Sequence, residues 1–118
     1  MSVSPISDGV TRSLHTAIDG LQARGRAIAS NIANLETPNY LAVQVSFEDS
    51  MRAALRTGRP ERTEVSTARS LAATRLNGNN VNIDFELMAS AENVLRSKLV
   101  VQALNDKYAL LRTGITGQ

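Results

Sequence analysis

The sequence predicts a mainly α fold: two long antiparallel terminal helices pairing as a coiled-coil-like hairpin, joined by an irregular central region with a short helix. Three observations predict it. Apolar residues recur in alternating steps of four and three near the N-terminus, the seam of a coiled coil. A second such run occupies the C-terminal third. The chain between them is polar and broken by Gly and Pro. The 118 residues suit one domain. It divides into residues 1–40 (first helix and its closing motif), 41–82 (central region) and 83–118 (second helix).

The first helix is expected to start near Ser7 or Asp8, either of which can cap the free N–H groups of a first turn. Its seam runs through Leu14, Ile18, Leu21, Gly25, Ile28, Ile32 and Leu35. Gly25 is the one seam position without apolar bulk, and it would let a partner backbone approach. Arg12, Asp19, Gln22, Arg24, Arg26 and Ser30 mark the polar face. Thr37-Pro38 is the expected stop, because proline disfavours helical geometry in the residue before it. The span is about 28 residues, or roughly 40 Å at the α-helical rise.

The centre reads less regularly. Leu41, Val43, Val45 and Phe47 alternate as in an extended segment. Met51, Ala54 and Leu55 suit a short helix before Gly58. Residues 59–75 are polar and read as a flexible or weakly ordered connection. Leu76-Asn77-Gly78-Asn79-Asn80 is a turn signal.

The second helix is expected to begin at Asn82 to Asp84, capped by one of those two side chains. Glu86 falls at the positive end of the helix dipole. Val101, Leu104, Tyr108, Leu111 and Ile115 form a heptad run. Met88, Leu95 and Leu99 lie on an adjacent face. One antiparallel partner needs only one seam, so the second face implies a second neighbour.

Composition excludes several functions. Aromatic residues are 3% of the chain and Trp is absent, so Leu, Ile, Val and Ala must build the core. That composition makes a lone monomer marginally stable. There is no Cys for disulfides or thiolate ligands. Met1 to Leu14 shows no cleavable secretory signal, and no stretch approaches the ~20 apolar residues of a membrane span. His15 is the only histidine and reads as a surface or interface residue. Asp84 and Glu86 suit helix capping and are too few for a metal cage. No phosphate loop or convergent catalytic set is present, so neither an enzyme nor a cofactor is expected. The central arginines (Arg52, Arg56, Arg59, Arg62, Arg69 and Arg75) interleave with Glu48, Asp49, Glu61 and Glu64. They lack aromatic stacking platforms, so nucleic-acid binding is not expected.

Two segments remain that composition does not explain. The first is Ala29-Ser30-Asn31-Ile32-Ala33-Asn34-Leu35-Glu36-Thr37-Pro38-Asn39-Tyr40. Asn31 and Asn34 lie off the seam at the helix end, where their amides can satisfy the last helix carbonyls or bind a neighbouring chain. Asn39 after Pro38 suits a positive-φ turn position. The second is Leu76-Asn77-Gly78-Asn79-Asn80-Val81-Asn82-Ile83-Asp84, leading into Glu86, Ala91-Glu92-Asn93 and Leu95-Arg96.

The first segment resembles the N-terminal signature of bacterial flagellar rod and hook proteins. The usual form has Gly at Asn39, a second Asn at Ser30 and often a basic residue at Leu41. Asn is the mildest replacement for a positive-φ Gly. The second segment resembles the Gly-Asn-Asn-Val-Asp stretch that opens the C-terminal helix in proximal-rod members, with Asn82 for the usual Asp. The resemblance covers both helices and leaves residues 59–75 unmatched.

This resemblance implies a structural subunit of the basal-body rod, in the periplasm. Such subunits are exported through the flagellar type III apparatus and polymerise through their terminal helices. Its implied partners are copies of itself and other rod proteins. The implied assembly residues fall in four groups. They are Leu14, Ile18, Leu21, Gly25, Ile28 and Ile32 on the first seam, and Asn31, Asn34, Thr37, Pro38, Asn39 and Tyr40 in the first motif. The others are Gly78, Asn79, Asn80, Val81 and Asp84 in the second motif, and Leu95, Val101, Leu104, Tyr108, Leu111 and Ile115 on the second helix. The rival reading is a cytosolic helical-hairpin adaptor, which shares the heptads but needs neither motif. A small nucleic-acid-binding protein is a more distant alternative.

Overall fold

A computed structural model describes residues 9–116. Helix α1 spans Gly9–Ala33, strand β1 Val43–Ser46, helix α2 Glu48–Arg56, strand β2 Ser66–Arg69 and helix α3 Ile83–Thr116. A 3-10 turn at Pro60–Arg62 separates α2 from β2. The fold is therefore mainly helical, with three helices, a long C-terminal helix and one small sheet.

Helix α1 follows its seam. Leu21 and Ile28 are buried, and Leu14, Ile18 and Ile32 are half-buried. The expected caps Ser7 and Asp8 lie outside the described residues. The helix ends at Ala33, four residues before the Thr37-Pro38 stop that the sequence suggested. The reason is local. Asn34 turns its amide back onto the Ser30 carbonyl (2.8 Å), and Leu35 and Thr37 close tighter turns onto Ile32 and Asn34. These bonds satisfy carbonyls a continuing helix would otherwise use. Asn39 takes φ 62°, as its place after Pro38 suggested.

The expected extended segment is β1, and the expected short helix is α2. Glu48 and Asp49 sit in the first turn of α2 and Arg56 in its last, matching the helix dipole. Gly58 follows at φ 73° and closes the chain out of α2. The reading of residues 59–75 as an irregular connection is corrected. Pro60 is buried, and β2 pairs antiparallel with β1, Val43 opposite Arg69 and Ser46 opposite Ser66. The strand escapes a sequence reading because Ser66-Thr67-Ala68-Arg69 is wholly exposed and carries no apolar alternation.

The core lies where α1 meets the sheet and α2. Leu21, Ala27, Val45 and Phe47 form it, with Ala23, Val43, Met51 and Val100 packed against them. The Phe47 ring lies flat on Gly20, where a methyl group would sit 2.6 Å from it.

Helix α3 lies along α1. Its partners rise as those of α1 fall: Asn31 touches Glu86, Leu21 touches Asn93 and His15 touches Tyr108. Glu86, Asn93 and Leu104 are buried on this side, and Ser97, Val100, Tyr108 and Leu111 are half-buried. The heptad run is thereby corrected at two positions. Val101 and Ile115 are exposed, and Val100 faces inward in place of Val101. The molecule measures 64 × 27 × 15 Å. Its radius of gyration, 18.2 Å, exceeds the ~13–14 Å of a compact domain this size.

Candidate functional site

The two motifs meet. The turn after α1 and the lead-in to α3 form one junction, in which side-chain amides add to the backbone bonds from Asn39 N–H to the Asn77 carbonyl and from Asn80 N–H to the Tyr40 carbonyl. Asn31 stands at its centre, 2% exposed on the last turn of α1. Its Nδ2 donates to the Val43 carbonyl and to Glu86 Oε1, both at 2.9 Å. Its Oδ1 accepts from the Val43 N–H (2.8 Å) and the Tyr40 hydroxyl (3.2 Å). One amide thus closes the free edge of β1 and ties it to the first turn of α3. An open edge would otherwise invite another strand.

Asn79 and Asn80 extend the network. Asn79 is fully buried and donates to the Asn34 and Thr37 carbonyls (2.9 and 2.8 Å). Its Oδ1 accepts from the Val81 N–H at 2.7 Å. Asn80 accepts from the Ala42 N–H and donates to the Ser70 and Ala72 carbonyls. Arg75 reaches the Val81 and Leu35 carbonyls, both at 2.6 Å. Gly78 takes φ 81° and packs directly on Asn39, so a side chain there would be both strained and obstructed. Buried amides pairing with backbone in this way avoid the desolvation cost of unpaired polar groups.

A second cluster fastens α2 and β1 to both long helices. Arg24 donates to Glu48 at 2.6 and 2.7 Å and to the Val45 carbonyl. Its guanidinium stacks 5.0 Å above the Phe47 ring. The hydrogen bond from Arg24 holds the Glu48 carboxyl well below the usual range, at about 2. The same bond raises Arg24. Arg96 on α3 lies 3.7 Å from Glu48 and pairs with Glu92 at 2.6 Å.

Of the residues singled out in the sequence, Asn31, Asn79, Asn80 and Val81 are buried in the junction, and Asn34, Tyr40 and Gly78 are half-buried there. Thr37, Pro38 and Asn39 lie on its outer rim. Asn82, not Asp84, caps α3, accepting from the Phe85 N–H at 3.1 Å; Asp84 is exposed. Leu95, Val101 and Ile115 are exposed, Leu104 is buried, and Tyr108 and Leu111 are half-buried. Within the chain, Gly25 faces the Asn93 side chain. Arg24, assigned above to the polar face, belongs to the cluster with Glu48 and Phe47. Sequence reasoning missed the roles of Gly20, Arg24, Glu48 and Arg75. Only pairs across the fold reveal their roles, and no local pattern marks them.

Curated relatives match most of the chain. A scan against protein-family models finds no match. The flagellar basal body rod protein FlgB of Bacillus subtilis (strain 168) is 31% identical over 122 residues, covering 92% of this chain and 95% of that protein. FlgB of Cereibacter sphaeroides is 33% identical over 110 residues, covering 82% and 86%.

The chain belongs to the FlgB family.

Among the described residues of this FlgB-family chain, no helix is long and apolar enough to cross a membrane.

Proposed function

We propose that the chain is a structural subunit of the flagellar basal-body proximal rod. It polymerises in the periplasm through its terminal helices, after passage through the flagellar export apparatus. Its partners are further copies of itself and other rod proteins.

One observation carries the reading beyond family membership. Helix α3 leaves Met88, Leu95, Leu99 and Leu110 between 59% and 74% exposed on the side away from α1. Leu87, Val94 and Val101 form a further exposed stripe at seven-residue spacing. A surface helix ordinarily carries one apolar stripe, turned to its own core, and larger apolar exposures mark interaction sites. The opposite order of contacts along α1 and α3 supports a coiled-coil-like hairpin as the polymerising unit. The junction holds the ends of the two helices together from inside, which leaves their outer faces for neighbours. Contacts of unlike faces that do not close a ring produce helical tubes.

The test is genetic and biochemical. Deleting the gene should abolish flagella, and a tagged chain should restore them and copurify with basal bodies. Full motility without the gene, with the protein confined to the cytosol, would favour an adaptor instead.

A further inference from the structure

The turn that opens the second motif holds the one Asn-Gly pair of the chain. Of the nine asparagines, only Asn77 precedes a glycine. An asparagine side chain can be attacked at Cγ by the backbone nitrogen of the next residue. Most following side chains crowd that attack, and glycine leaves it open. Six of the other eight asparagines precede Ile, Leu, Val or Tyr. Asn77 is exposed, so water reaches it.

In the folded chain, hydrogen bonds hold the reacting groups out of that chemistry. The Asn77–Gly78 peptide unit is bonded at both ends. Its carbonyl accepts from the Asn39 N–H at 2.8 Å, and its N–H donates to the Arg75 carbonyl at 2.9 Å. The side chain is anchored too, with Asn77 Oδ1 accepting from the Asn79 N–H at 3.1 Å. Gly78 sits against Asn39 at φ 81°. Ring closure needs this peptide unit to turn its nitrogen onto Cγ, and it consumes the N–H that the Arg75 carbonyl holds. The junction must therefore open first.

We propose that Asn77 is a deamidation site that the closed junction protects. When the junction opens, the Gly78 nitrogen loses its proton and bonds to Asn77 Cγ. The side-chain amide leaves as ammonia, and a succinimide ring remains. Water then opens the ring at either carbonyl, giving aspartate or isoaspartate. Asparagine and water thus become an acidic residue and ammonia. Aspartate keeps the backbone and still accepts from the Asn79 N–H. Isoaspartate does not keep it: the chain then runs through Cγ, with one more carbon before Gly78. The carbonyl that accepted from Asn39 becomes a carboxylate off the chain, and Gly78 is pushed from its seat. A chain so modified closes its junction poorly. The site is independent of what the chain assembles with.

Peptide mapping by mass spectrometry tests this. The purified chain is incubated at mildly alkaline pH with and without urea, and deamidated and isoaspartyl forms are followed at each asparagine. In urea, Asn77 should be lost first. Without urea it should be lost at least about tenfold more slowly, a factor supplied by any opening free energy above about 1.4 kcal/mol. Asn79→Ala weakens the junction but keeps the Asn77-Gly78 pair, so it should speed the loss without urea. Gly78→Val should slow the loss sharply in urea, where the folded turn no longer matters. After urea is removed, the form with isoaspartate at 77 should have a lower Tm than the native chain, and Asn77→Asp a Tm close to native. Equal rates with and without urea, earlier loss of another asparagine in urea, or no acceleration in Asn79→Ala would overturn the proposal. An isoaspartyl form that refolds with the native Tm would overturn its structural consequence.

Discussion

At the scale of single residues, the chain depends on side chains placed where only one shape fits. Gly20 is the sharpest case. Mid-helix Ala is ordinarily better than Gly by up to about 1 kcal/mol. Here the added methyl would sit 2.6 Å from the Phe47 ring, and overpacking of a tight core costs about 1–3 kcal/mol. Gly20→Ala should therefore lower stability, as measured by urea unfolding, against its helix propensity. Asn79→Ala should also destabilise, by about 1–3 kcal/mol, because it removes a fully buried amide that bonds the backbone of Asn34, Thr37 and Val81. Glu48 makes stability depend on pH. Its folded carboxyl lies near 2 against an ordinary 4.5, so its contribution is present above 4.5 and is lost as pH falls toward 2. The Tm gap between the native chain and Glu48→Gln should be constant above pH 5 and close between pH 4.5 and 2. Little of this is legible in the sequence. Asn31 and Asn34 stood out because paired amides at a helix end need a reason. Arg24 did not, since an arginine among polar residues looks like any solvated face until Glu48 and Phe47 are brought beside it.

At the scale of elements, periodicity was informative where burial was one-sided. The α1 seam through Leu21 and Ile28 lies inside, and the alternation of Val43, Val45 and Phe47 is a strand and its exit. Asn39 and Gly78 take the positive φ that their turn chemistry suggests. Two elements resisted. Strand β2 has no apolar face, so only its pairing with β1 defines it. Helix α3 has apolar residues on several sides, so the sequence could not tell Val100 from Val101 as the inward residue. That ambiguity has the same origin as the proposed function: a helix meant for several neighbours carries several stripes. Replacing Met88, Leu95 and Leu99 together with Gln should leave urea unfolding of the isolated chain within about 0.5 kcal/mol per site. The same variant should abolish motility on a swarm plate. A large loss of monomer stability would instead place these residues in the core.

At the scale of the whole molecule, the 64 Å length and 15 Å thickness describe one thin layer. A layer this thin cannot cover both sides of a helix. The isolated chain should therefore open most easily at the ends farthest from the junction. Amide exchange should be fast in the first turns of α1 and the last turns of α3, and slow from Asn31 to Val45. Equal protection along both helices in the monomer would contradict this. The most direct measurement is a helical reconstruction of the basal body with density assigned to this chain. The account predicts the Asn31–Asn79–Asn80 junction closed within each subunit, and the Met88–Leu95–Leu99 face against a neighbour. Junction asparagines bridging two subunits, with that α3 face open to solvent, would contradict it.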